Sequence, residues 1–409
     1  MNVERLNIKN FDTRIDRRDL RLIDSTFGHE SRNFFYSNYR GRNIPNDPDL
    51  PKRIDQEFFR NLSQRFGVEF KQEDYLDALK KAAETHNYII TTLGLPEWEL
   101  GLLNEVLAFS ESPFDRLKLL SSRDINPLLR FQLAEQLLLA LIGAESNMRT
   151  KNQRLRTQLD NFVKMTDKEL FSSKLIGDTR VIDVYSTHDY QNKVVDIGFS
   201  SFTHLANNVR EKKTPLRVRE IKKDKNRKFV ITFDIRKKDD RIVTLKAIEK
   251  AMLENGDVQL ESVTDMIGKK FIIIDGDKKD LIAIFDSIMR CGFRVKKVDK
   301  DDSTEKTRGQ SPRHRFSRRQ YHINGNKFEV IFYNLREFLN SEYDIGDIDE
   351  NGFYNGAAHS LYELKRIACV ASLLFPKELY GFNIDEYIKL AYQREANRLL
   401  DFNNSLQRL

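Results

Sequence analysis

Residues 320–334 read QYHINGNKFEVIFYN. Asn324-Gly325 is a dipeptide that tolerates the positive φ of a tight turn, and Gln320–Ile323 and Phe328–Phe332 on either side are rich in strand-favouring residues. The pattern predicts a β-hairpin. Upstream, Phe293–Val298 reads as extended and Leu281–Met289 as a helix, with a turn at Asp275-Gly276-Asp277. Before that turn, Lys270–Ile274 is apolar after its first residue, as in a buried strand, and Val243–Leu253 has helical spacing. From 243 to 340 the order is helix, strand, helix, strand, hairpin, helix. That order predicts a small mixed sheet flanked by helices. It is not a doubly wound dinucleotide fold, and no Gly-rich loop or P-loop accompanies any strand.

Further out, Val181–Val184, Val194–Phe199 and Lys228–Asp234 read as strands, the first two separated by a polar loop holding His188 and Asp189. Ala358–Leu374 and Ile384–Leu400 read as closing helices. The N-terminal half is mostly helical in pattern: Gln72–Leu93, then Trp98–Phe109, then a packing helix through Leu129, Leu133, Leu137 and Leu141. Residues 1–65 have no long periodicity. Phe34, Phe35, Tyr36 and Tyr39 alternate with Arg32, Arg40 and Arg42 there, a mixture that stacks bases or pins an extended arm to its own protein. Pro45, Pro48 and Pro51 argue against a regular element. The expected class is therefore α+β. The expected segments are an irregular arm (1–65), a helical domain (66–175), a mixed-sheet domain (176–375) and a C-terminal helix (376–409).

Composition limits function. Hydrophobic residues make up 40% and charged residues 32% of the 409, enough for a real core under a wet surface. Two cysteines, Cys291 and Cys369, make no disulfide framework and read as reduced, partly buried thiols. Met1–Leu20 lacks an apolar signal core, and Leu128–Ala144 is interrupted by Arg130, Glu135 and Gln136. The expectation is a cytoplasmic protein with no membrane partner. Sixty-nine basic against 62 acidic residues give a formal charge of +7. An anionic partner such as nucleotide or nucleic acid is permitted by that charge. The basic runs Arg217–Lys228 and Arg308–Arg319 are solvated faces or contacts to such a partner.

Two carboxylates have chemical potential. Asp265 precedes the strand in VTDMIGKKFIII, and Glu329 lies in the strand KFEVIFYN. On neighbouring strands they could share a divalent ion such as Mg²⁺, which prefers oxygen ligands and substrate phosphates. The alternative is a capping Asp and an edge-strand Glu.

The stretch from about 244 to 366 resembles the synthetase domain of the RelA/SpoT family of (p)ppGpp synthetases. Asp265, Gly268 and Lys270 in DMIGKK are similar to its Asp-x-x-Gly-x-Arg motif, and Thr244, Lys246 and Lys250 in TLKAIEK to the helix before it. In SRRQYH, Arg319, Tyr321 and His322 match the family's Gly-Tyr-Arg-Ser-Tyr-His segment. In EVIFY, Glu329 is kept while Ile331 and Tyr333 replace a Gln and an Arg. His359 and Tyr362 in AAHSLYELKR match a later segment. The resemblance covers about a third of the chain and implies a nucleotidyltransferase-like fold that transfers pyrophosphate from ATP to a nucleotide or RNA acceptor. It assigns Asp265 and Glu329 to Mg²⁺ and catalysis. Lys246, Lys250, Lys270 and Arg319 would surround phosphates, Tyr321 would stack on a base, and His322 and His359 would support the site. Lys270 in place of Arg loses a planar bidentate contact. A catalytically inactive nucleotide- or nucleic-acid-binding regulator is the alternative outcome.

Overall fold

The computed structural model describes residues 27, 29–39, 47–96, 112–122, 125, 127–151, 180–202, 210–224, 227–237, 240–253, 267–301, 315–323, 326–350 and 352–400. The class is α+β, with an eight-stranded mixed sheet. The chain divides into two compact units. One draws on Met1–Asn152, Asp240–Leu260 and Cys369–Tyr387, the other on Gln153–Asp239, Glu261–Ala368 and Ile388–Leu409.

The first unit is helical: α1 (His29–Tyr39), α2 (Leu50–Phe66), α3 (Gln72–Leu93), α4 (Pro113–Ser121), α5 (Pro127–Lys151), α6 (Asp240–Leu253) and the short α10 (Lys377–Tyr380). The expected irregular arm is thus corrected. Arg32 to Tyr39 lies in α1, and Phe34 and Phe35 are buried as core residues, which leaves neither ring open for a base. Pro51 does not exclude a helix either, whereas Pro48 lies in the turn before α2 and Pro45 outside the described residues. Pro51 sits in the first turn of α2, where its missing N–H has no intrahelical partner to lose. Phe58 anchors this core, 4.7 Å from the Phe27 ring and 5.5 Å from that of Tyr75. The segment Trp98–Phe109 lies outside the described residues. Among the described residues, helix α5 holds the one 18-residue window, Pro127–Ala144, that is long and apolar enough to cross a membrane. That window is 72% buried within the protein, and Leu133, Leu137 and Leu141 pack as core. Fully buried Arg116 donates to the Leu133 carbonyl at 3.1 Å. Buried His86 packs edge-on against Phe375.

The second unit holds the sheet: β1 (Arg180–His188), β2 (Val194–Gly198), β3 (Arg210–Asp224), β4 (Arg227–Lys237), β5 (Ile267–Asp275), β6 (Val295–Asp301), β7 (Ser317–Ile323) and β8 (Asn326–Asn334). Helices α7 (Lys278–Gly292) and α8 (Leu335–Tyr343) belong to it, as do the first turns of α9 (His359–Leu374) and most of α11 (Ile384–Leu400). The order is β2-β1-β3-β4-β5-β8-β7-β6, antiparallel except for the parallel pair β5–β8. The opening hairpin is present, with Ile323 paired to Asn326. On one face, Phe271, Tyr321, Val330 and Phe332 pack beneath Phe285 of α7, the Phe271 and Phe332 rings stacked at 5.4 Å. On the other, Ile272, Ile331 and Tyr333 pack beneath Leu335, Phe338 and Leu339 of α8.

The sheet is larger than expected because the basic run 217–228 belongs to a β3–β4 hairpin. Leu216 and Val218 turn inward while Arg217 is exposed, the period-2 alternation of a half-buried strand. His188 is a buried strand residue, not part of a loop: its ring meets Ser186 Oγ at 2.8 Å and the Asn192 carbonyl at 3.0 Å. Asn192 itself has φ 60°, and its buried side-chain amide donates to the Tyr343 and Leu399 carbonyls. At the sheet edge, Arg336 donates to the Val194 and Val195 carbonyls of β2, and Asn340 Oδ1 accepts from the Val194 N–H. Both cysteines are free. Cys291 is exposed, against the partly buried reading, because it lies on the outer side of α7.

Candidate functional site

The parallel β5–β8 register sets Gly268 beside Glu329 and Lys270 beside Ile331. Partners in adjacent strands share a face, so Gly268, Glu329 and Lys270 lie on the α8 side of the sheet. The approach at Gly268 is close. A Cβ there would stand 2.5 Å from the Glu329 carbonyl oxygen. The absence of a side chain at this glycine is therefore what lets β5 run against Glu329.

Alternation along β7 decides which arginine faces Glu329. Ser317, Arg319, Tyr321 and Ile323 are buried, while Arg318, Gln320 and His322 are half-buried. Gln320 pairs with Glu329. Arg318, on this same face, reaches Glu329 Oε1 at 3.6 Å and Asp301 Oδ2 at 3.0 Å. One guanidinium therefore bridges two carboxylates, and the Glu329 side chain is only 8% exposed. Further along, His322 Nε2 meets Asp299 at 2.7 Å. Lys297 and then His322 hold the Asp299 carboxyl below its ordinary range. Lys270 Nζ is 3.3 Å from Glu342 Oε1 and 4.6 Å from the centre of the Phe338 ring. Next to Glu342 on α8, the Tyr343 ring carries Lys212 Nζ at 3.6 Å. Burial, helped by the charge of Arg398, pushes the Lys212 pKa down to about 8.

Several expected roles change. Arg319 is buried on the α7 side, opposite Glu329, and donates to the Arg318 carbonyl at 2.9 Å; Arg318 takes its place in the cluster. Tyr321 is fully buried in the α7 core with its hydroxyl donated to Asp286. It presents no ring face to a base. Ile331 and Tyr333, where the family pattern has Gln and Arg, are core residues under α8, so those substitutions serve packing. His359 opens α9 and pairs with Glu363 at 3.0 Å. Lys246 and Lys250 lie on α6, which groups with the helical unit. Asp265 lies outside the described residues, two positions before β5 begins. Among the described residues no group of three His, Cys, Asp or Glu side chains is placed to hold a metal ion.

Arg318, Asp301 and Asp299 were missed from the sequence. Their signal was available: in SRRQYHI, Tyr321 and Ile323 fix the core parity of the strand, and parity alone sends Arg318 to the opposite face. Chemically, the cluster offers a nearly buried carboxylate, a bridging arginine and a flanking lysine, a set suited to phosphate-bearing ligands. Comparison with protein-family models finds no match, and comparison with curated proteins finds none either.

Proposed function

We infer that the sheet unit is a nucleotidyltransferase-like domain that transfers a pyrophosphoryl or nucleotidyl group from ATP to a nucleotide or RNA acceptor, in the cytoplasm. The observation that carries this reading is the parallel β5–β8 pair. It seats Gly268 directly against Glu329 and puts Lys270 on the same face. In this reading Glu329 orients or deprotonates the attacking hydroxyl. Arg318 and Lys270 offset phosphate charge before that hydroxyl approaches. Mg²⁺ commonly takes only one or two protein carboxylates, with waters and substrate phosphates completing its shell. Glu329 fits that demand, and Asp265 is the second candidate. The ion would supply charge neutralisation at the phosphates.

A second reading is favoured by one observation: Arg318 already engages Glu329. A carboxylate held by an arginine suits a domain that binds nucleotide or nucleic acid without catalysis. One experiment addresses both. The full-length protein and Glu329→Gln are incubated with Mg²⁺, labelled ATP and a panel of GDP, GTP and RNA acceptors, with ATP binding measured in parallel. The transferase reading expects transfer by the parent and at least a hundredfold loss in the variant, with binding retained. Binding without transfer in the parent selects the second reading, and its affinity for RNA then falls steeply with salt. A folded parent that transfers nothing and binds neither ATP nor RNA removes both.

A further inference from the structure

Strand β3 hands its partner over midway. Its first part pairs with β1, ending at Val218 opposite Arg180, and its second pairs with β4 from Arg219 opposite Ile231. Where β1 stops and β4 begins, a cavity of about 770 Å³ opens, within the range of small-ligand sites. Ile182, Val230 and Ile274 line it with apolar surface. Phe199, from the segment after β2, also lines it and is 62% exposed. An aromatic ring left that open beside an apolar surface is set to cover another flat apolar group. The charges in the lining are mostly spoken for. Arg180 is 2.9 Å from Glu220, and Asp183 is 2.8 Å from Lys213. Asp275, at the end of β5, is exposed, and its carboxylate has no hydrogen bond or ion pair among the described residues. The site therefore combines an apolar lining and an open aromatic ring with one available negative charge. It is separate from the Glu329 cluster: Gly268, the second residue of β5, and Asp275, its last, are about 23 Å apart at ~3.3 Å per residue.

We propose that this cavity binds a small planar organic cation, its ring against Phe199 and its positively charged N–H groups donated to Asp275. The proposal does not rest on the transferase reading. Its test uses the full-length protein and three isosteric probes: benzamidine (cationic), benzamide (neutral) and benzoate (anionic), followed by ligand-observed NMR titration. Benzamidine is expected to bind with a dissociation constant on the order of 1 mM, as befits a fragment, and benzoate not to bind. Asp275→Asn should weaken benzamidine about tenfold, the loss expected of a charged hydrogen bond. Phe199→Ser should weaken both benzamidine and benzamide, and Glu329→Gln should change neither. Circular dichroism of each variant confirms that it is folded. If none of the probes binds, if benzoate binds as well as benzamidine, or if Asp275→Asn leaves benzamidine affinity unchanged, the proposal is overturned.

Discussion

Replacing Gly268 by alanine is the sharpest single test of the β5–β8 geometry. The new Cβ would lie 2.5 Å from the Glu329 carbonyl oxygen and 3.3 Å from its carbonyl carbon. A carbon–oxygen contact is comfortable only from about 3.3 Å, so the strands must part by close to 0.8 Å. The obstacle is backbone and cannot swing aside as a side chain would. Gly268 does not have a positive φ, so alanine meets no conformational penalty of its own. Overpacking of this kind costs about 1–3 kcal/mol, and the reduced entropy of the unfolded chain returns about 0.4–1 kcal/mol. The net loss is about 0.5–2.5 kcal/mol, or a fall in Tm of about 1–10 °C for a unit of this size. Gly143→Ala is the control. It lies within α5, and its Cβ would meet only Thr244 Oγ1, at an ordinary 3.7 Å. Helix propensity then favours alanine by about 0.5–1 kcal/mol, raising Tm slightly. Both are read by thermal circular dichroism. A Gly268→Ala protein as stable as its parent would refute the close approach of the two strands.

Tyr321→Phe removes only the hydroxyl donated to Asp286. It should cost about 1.5–3 kcal/mol in urea denaturation while leaving nucleotide binding unchanged; the reverse result would return Tyr321 to a binding role. Asn192→Ala removes the amide that donates to the part-buried Tyr343 carbonyl and the buried Leu399 carbonyl, at a φ of 60° that alanine dislikes. The expected loss is about 2–4 kcal/mol, and Asn192→Gly should lose about 1 kcal/mol less. Equal losses for the two would remove backbone conformation from the account. Burial pushes the pKa of His86 and of His188 down to about 4 from an ordinary 6.5. Their neutral forms therefore stabilise the fold fully above pH 6.5, and that contribution fades as pH falls toward 4. Between pH 7.5 and 5 each should withdraw about 2 kcal/mol. A parent urea midpoint independent of pH over that range, or a pH slope unaltered by His86→Gln or His188→Gln, would contradict this.

Local pattern made the later half of the chain legible. Asn324-Gly325 marked the β7–β8 hairpin, and the apolar run before Asp275-Gly276 marked β5. The long strand β3 was hidden because Lys213, Arg217 and Arg219 occupy outward positions and only Leu216 and Val218 of its inward ones are plainly apolar. Helix α1 was hidden because its aromatic residues are mixed with Arg32, Asn33, Ser37 and Asn38, and the inside of a short helix emerges only when Phe34 and Phe35 find neighbours. In the candidate site, Glu329 and Gly268 could be picked out by motif, but motif spacing is blind to the two faces of a strand. Arg319 and Tyr321 were thus assigned by position in a pattern, although the alternation of the same seven residues turns them into the core.

The contacts of α8 with β2 bear on how copies of this protein behave when crowded. A bare outer strand is a template on which another chain can add itself, the first step of edge-to-edge aggregation. At β2 that template is already occupied: Arg336 takes two carbonyls and Asn340 one N–H, so a visiting strand must first evict both side chains. The opposite border is guarded by charge, with Lys296, Lys297 and Lys300 exposed along β6. Both borders of the sheet formed by the described residues are in this way guarded. Shortening Arg336 would expose the β2 rim to strand addition while leaving the Glu329 cluster untouched.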